Sequence, residues 1–150
     1  MMKFTVPEAQ HYAQAQQLED WIHSYLTTGA WHNTGLSNGL KQQRRWWAGP
    51  LELPLNDLSR CTGPEPDMEF VMPRESWEQR VTRIQADLRD TLQMPPLIVE
   101  YRSGILSIRD GNHRHEAMCR MGLETCWALV WYNTRRDYTL HRLAHYLPNN

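Results

Sequence analysis

Leu97-Ile98-Val99-Glu100-Tyr101-Arg102-Ser103-Gly104-Ile105-Leu106-Ser107-Ile108-Arg109-Asp110-Gly111-Asn112-His113-Arg114 reads as two apolar strands joined by a Ser-Gly turn, closing on a polar knot that opens a helix. The knot, Asp110 to Arg114, gathers an acid, a glycine, an amide, an imidazole and a guanidinium. That mixture is costly to bury and unnecessary for a plain turn. Donors placed where a helix begins suit an anion, most simply a phosphate. The bland alternative is a strand-to-helix turn with Asn112 as N-cap.

Working outward, Pro95-Pro96 closes a helix that starts at Pro73-Arg74-Glu75, with Trp77, Val81, Ile84, Leu88 and Leu92 as its apolar stripe. If Leu97 and Val99 point inward, Glu100 is an exposed strand glutamate. After the knot, His115 to Met121 reads as a short helix with Ala117, Met118 and Met121 inward, capped by Gly122. Thr125 to Tyr132 is β-rich. Thr134 and Asp137 resemble a capping box for a last helix that buries Leu140, Leu143, Ala144 and Leu147. Upstream, the spacing of Ala15, Leu18, Ile22, Tyr25 and Leu26 predicts one helix over Glu8 to Thr27. Leu51 to Leu55 alternates like a short strand that Pro54 confines to an edge. Lys41 to Trp47 is either a short helix or an arm. A compositional seam near Gly49–Pro50 divides an N-terminal helical extension, residues 1–49, from a core over 50–150.

The 150 residues are long enough for one domain with a real core. A formal net charge of −1 gives no global field toward nucleic acid or an anionic membrane, so phosphate binding needs a local site. Cys61, Cys119 and Cys126 are odd in number and lack paired spacing, which speaks against a disulfide framework and for a cytoplasmic chain with free thiols. No apolar run approaches membrane-spanning length.

The order of a strand after Pro-Pro, a hairpin strand, Asp-Gly-Asn-His-Arg, a short helix ending at Gly122 and a further strand resembles the ParB/sulfiredoxin superfamily. The likeness covers roughly Leu51 to Tyr132. It implies an α+β fold: a small mixed sheet flanked by helices, here with the N-terminal helical extension. It also implies nucleotide phosphates bound at Gly111, Asn112, His113 and Arg114. Sulfiredoxins carry a catalytic cysteine where this chain has Asn112, so sulfinic acid reduction is not expected. ParB proteins continue into a helix-turn-helix domain, for which Asn133 to Asn150 is too short. Free serine kinases of the superfamily carry Asp-Gly-His-His-Arg, close to Asp110-Gly111-Asn112-His113-Arg114.

That likeness implies phosphoryl transfer to a small hydroxyl substrate, or nucleotide hydrolysis, with ATP, ADP or CTP as ligand and magnesium beside it. Asp110 and His113 are the catalytic candidates, and Glu52, Asp57 or Glu69 would assist the alcohol. Arg114→Ala is expected to weaken nucleotide binding with the fold intact. The alternative is a non-catalytic regulator that senses a nucleotide, or binds nucleic acid through Lys41, Arg44, Arg45 and Trp46. A nuclease ranks lower, since no dense acidic cluster is visible. The N-terminal helix either covers the core or makes a homodimer contact. His113 and His115 face different directions on a helix, whereas His141 and His145 share a face but lack a third ligand.

Overall fold

A computed structural model describes residues 1–145. Its architecture is α+β, with a five-stranded mixed sheet and six helices among the described residues. In chain order these are α1 (Val6–Gln14), α2 (Leu18–Thr28), α3 (Thr34–Leu40), β1 (Trp46–Pro54), β2 (Leu58–Arg60), β3 (Thr62–Gly63), β4 (Phe70–Val71), α4 (Arg74–Asp87), β5 (Leu97–Arg102), β6 (Ile105–Asp110), α5 (Asn112–Arg120), β7 (Thr125–Tyr132) and α6 (Arg135–His145). The sheet order is β1-β7-β5-β6-β2, with β5–β7 and β2–β6 parallel and the other pairs antiparallel. β3 and β4 pair separately.

Both faces of the sheet are covered, which explains its near-continuous apolar strands. One face packs Leu53, Leu97, Val99, Ile108, Met118, Ala128 and Val130 into one cluster. The other face places Ile98, Leu129 and Trp131 against Ala9, Trp21, Ile22, Tyr25 and Leu26 of the N-terminal helices. The alternation of β5 is therefore apolar on both sides. Glu100 shares the face of Ile98 and is 5% exposed, not solvated as expected from a one-sided reading. It survives there because Arg102, Arg109 and Asn133 surround its carboxylate.

The N-terminal helix expected over Glu8 to Thr27 is two helices. Gln16, with a positive φ of 59°, turns the chain between them. The turn lets Val6 and Ala9 of α1 and Leu18, Trp21, Ile22, Tyr25 and Leu26 of α2 all reach the core. The first helix is capped by Thr5, which accepts from the Glu8 N–H. Lys41 to Trp47 is neither a helix nor an arm: α3 ends at Leu40, and Trp46 and Trp47 already belong to β1. β1 is an edge strand, as its prolines require, and its ladder shifts register between Ala48 and Leu51. It runs through the Gly49–Pro50 seam.

The C-terminal helix α6 is correctly started, with Thr134 accepting from the Asp137 N–H at 3.1 Å. Its buried side is not the one the leucines suggest. Tyr138 and His141 pack on Tyr132 and Tyr101, while Leu140 and Leu143 are 52% and 58% exposed. The ring cluster at the strand ends claims the inner face. Leu147 lies outside the described residues. Met121 and Leu92 are also more exposed than their spacing implies. No helix among the described residues is long and apolar enough to cross a membrane.

Candidate functional site

The knot between β6 and α5 is built around Gly111. Its φ of +104° is a left-handed conformation that side chains resist, and it serves as the N-cap of α5, the place the bland alternative gave to Asn112. No side chain caps that helix end. A Cβ on Gly111 would lie 2.4 Å from Leu97 Cδ2 and 2.9 Å from Arg114 Nη2, so the glycine also provides room.

The five motif residues divide between the two layers. Asp110 and Arg114 turn toward the N-terminal helices. Arg114 is 2% exposed; its Nη2 donates to Asp110 Oδ2 at 3.0 Å and to the Tyr25 hydroxyl at 3.1 Å. Its Nη1 donates to the Pro95 carbonyl at 2.5 Å, and Trp31 covers the guanidinium at 4.7 Å. Tyr25 itself donates to Asp110 at 2.8 Å. Burial pushes the Asp110 carboxyl up, against the opposing pull of Arg114 and Tyr25. Burial likewise raises the Tyr25 phenol. This burial argues against the expectation that Arg114→Ala leaves the fold intact, because the substitution would strand a buried carboxylate.

Asn112 turns the other way. Its Oδ1 accepts from the Cys61 and Thr62 N–H groups at 2.9 and 3.2 Å, and its Nδ2 donates to the Ile108 carbonyl at 3.1 Å. The side chain clamps the β2–β3 corner to the knot.

His113 occupies the space between α4 and this corner. Its ring is half-buried and lies 4.5 Å from that of Trp77, which is 1% exposed. Arg60 lies over the Trp77 ring at 4.8 Å and is steadied by Glu65 at 2.6 Å and the Thr62 carbonyl at 3.1 Å. Gly63 permits this approach, since a Cβ there would meet Arg60 Nη1 at 2.1 Å. Burial first, then the guanidiniums of Arg80, Arg114 and Arg60, lower His113 to about 4. The imidazole is neutral near pH 7, and its Nε2 is shielded from solvent without a hydrogen-bond partner among the described residues. Exposed Arg80 has no ion-pair partner among the described residues.

His115 hydrogen-bonds the Leu55 carbonyl at 2.9 Å and is lowered mainly by burial. His113 and His115 thus face different partners. Because His113 charges more readily in the unfolded chain, the unfolded state binds more protons between pH 6.5 and about 4. Stability is expected to fall as the pH drops through that window, with His115 and His23 adding in the same direction. Denaturant midpoints taken across it should decline less in His113→Gln than in the wild type; equal slopes would remove His113 from the account.

Asp110 is poorly placed for a magnesium ion at the start of α5: it is buried, and its Oδ2 already accepts from the Arg114 guanidinium and the Tyr25 phenol. No group of three or more His, Cys, Asp or Glu among the described residues could hold a metal by itself. The helper acids are dispersed. Glu52 accepts from Thr125, Glu69 pairs with Arg109 at 2.5 Å, and Asp57 lies in a single 3-10 turn. The basic-aromatic run is also committed within the protein. Arg45 donates to Leu40, Gly39 and Asn133, and Arg44 lies over Trp46 at 4.9 Å. Tyr25, Trp31, Arg60 and Trp77 are companions of the motif that no local pattern in the sequence marks. Only their spacing in the fold brings them to it.

A scan against protein-family models and a search of the curated proteins returned no match. Among solved structures, two are similar to this chain. One is the C-terminally truncated chromosome-partitioning protein ParB from Caulobacter crescentus, complexed with CTP-gamma-S. It is 20% identical, with a TM-score of 0.40, over 69% of this chain and 56% of that one. The other is sulfiredoxin from Arabidopsis thaliana, 25% identical, with a TM-score of 0.36, over 62% of this chain and 94% of that one. The chain thus spans little more than half of that ParB structure.

Proposed function

We propose that this chain binds a nucleotide through its phosphate groups at the start of α5, beside His113. The observation that carries the reading is the orphaned Nε2 of His113, set at an uncapped helix N-terminus among guanidiniums. A buried nitrogen without a partner is costly, and a phosphate oxygen would satisfy it. The helix end favours the same charge. Arg80 and Arg60 would add cationic contacts, and Gly111, Asn112 and Arg114 would contribute backbone and shape. Asp110 and the Arg114 side chain hold the knot in place rather than meeting the ligand.

Binding is better supported than phosphoryl transfer to a small hydroxyl. Transfer needs a base or metal site at the bound phosphate, and the Asp110 carboxylate is turned into the protein. A nucleotide-sensing role follows more directly than a kinase, hydrolase or nuclease role. The nucleic-acid reading through Lys41, Arg44, Arg45 and Trp46 is less supported, because Arg45 and Trp46 already hold other partners.

Thermal unfolding with ATP, ADP, CTP and GTP, each with and without magnesium, tests the proposal. A ligand at about 100 times its Kd adds about 2.7 kcal/mol to the folded state. A rise in Tm with one or more nucleotides, lost in His113→Gln, is the expected result. The His113 share of binding should grow on acidification from pH 7, since a bound anion favours the protonated ring. No rise at millimolar ligand would overturn the site. A rise with inorganic phosphate equal to that with nucleotides would reduce it to a phosphate site.

A further inference from the structure

Seven tryptophans lie among the described residues, and Trp31 is the only one exposed. An indole is highly buried on average, so this one calls for a reason. Trp31 stands in the connection between α2 and α3, which is pinned at several points. The His32 N–H donates to the Gly29 carbonyl at 3.1 Å, and the Asn33 N–H to the Leu26 carbonyl at 2.7 Å. The Asn33 side chain accepts from the Leu36 N–H at 3.1 Å. The backbone that carries the indole is therefore fixed. The ring lies 4.7 Å from the Arg114 guanidinium, yet 44% of the residue faces solvent.

Arg114 also ties Trp31 to the start of α5. Its Nη2 is 2.9 Å from where a Cβ on Gly111, the N-cap, would sit. Its charge also reaches His113, whose imidazole it helps to lower. Trp31 and the proposed phosphate site are thus separated by one guanidinium and the first turn of α5, about 5.4 Å of helix. The ribose of a nucleotide bridges such a gap between phosphate and base.

We infer that Trp31 is the surface on which the base of the nucleotide stacks, an inference that rests on the phosphate site proposed above. The base lies on the solvent side of the indole, and Arg114 backs the other side. The guanidinium therefore keeps its bonds to Asp110 and Tyr25 while ligand is bound. Stacking reads a ring face, which every base offers, so purine and pyrimidine nucleotides both use it. A tryptophan that only covered Arg114 would serve the fold and leave the base unread.

The full chain would be titrated calorimetrically with ATP, CTP, GTP and inorganic tripolyphosphate, alongside Trp31→Leu, Trp31→Phe and His113→Gln. Trp31→Leu keeps an apolar cover on Arg114 but offers no ring. The ratio of nucleotide to tripolyphosphate affinity should fall about tenfold in Trp31→Leu and be largely kept in Trp31→Phe. His113→Gln should weaken both kinds of ligand. A second readout needs no variant beyond one to assign the signal: in nitrogen-15-labelled wild type, the Trp31 indole N–H should shift with a nucleotide and stay in place with tripolyphosphate. An unchanged ratio in Trp31→Leu, an indole signal that ignores a bound nucleotide, or binding of tripolyphosphate alone would overturn the stacking role and leave the phosphate site standing. No binding of either kind of ligand by the wild type would overturn both.

Discussion

Arg114→Ala is expected to be the most damaging single substitution in the motif, lowering the unfolding free energy by about 3–5 kcal/mol. The guanidinium is 2% exposed and makes hydrogen bonds to Asp110, Tyr25 and the Pro95 carbonyl. Its removal leaves the Asp110 carboxylate buried with only the Tyr25 hydroxyl, and leaves the Pro95 carbonyl without this donor. For a chain of this size the loss corresponds to a fall in Tm of roughly 6–20 °C. Arg114→Lys should recover only part of it, because one ammonium cannot reproduce a fork that reaches Asp110 and Pro95 together. Circular dichroism melts of the two variants check this. A wild-type Tm for Arg114→Ala would mean that the guanidinium stands free for a ligand after all.

Gly111→Ala should rank close behind. The backbone at φ +104° costs a side chain about 1–3 kcal/mol, and the new methyl, 2.4 Å from Leu97 Cδ2, adds about 1–3 kcal/mol of overpacking. Gly104→Ala is the matched control. Its φ is +83°, but nothing lies within 4 Å of the added carbon, so only the backbone cost applies. Urea midpoints should therefore order wild type above Gly104→Ala above Gly111→Ala. Equal losses in the two variants would show that crowding at the knot contributes nothing.

The hairpin, the knot and the strand over Thr125 to Tyr132 were legible because each combines alternation with a turn signal nearby. Thr134 announced α6 in the same local way. What was not legible depends on the second layer. Whether Glu100 is wet or dry depends on its face of the sheet being covered and on Arg109 and Asn133 reaching it from other elements, not on the alternation within β5. Leu140 and Leu143 mark an apolar stripe, yet Tyr132 and Tyr101 supply a better surface for Tyr138 and His141. The same limit applies at the site. Asp110, Gly111, Asn112, His113 and Arg114 stand out by composition. Which of them look inward could not be read, since Tyr25 is 85 residues from Asp110 and Cys61 is 51 from Asn112.

The division of the knot between two layers has a consequence for how such a motif changes over time. Asp110 and Arg114 fasten it to one side of the sheet, while Asn112 fastens it to the other. A rivet of this kind cannot be altered one residue at a time, because each head bears on a different plate. Descendants with nothing bound here would still be obliged to keep the letters. If the proposed site is right, only His113 and the cations that surround it are at liberty to follow the ligand.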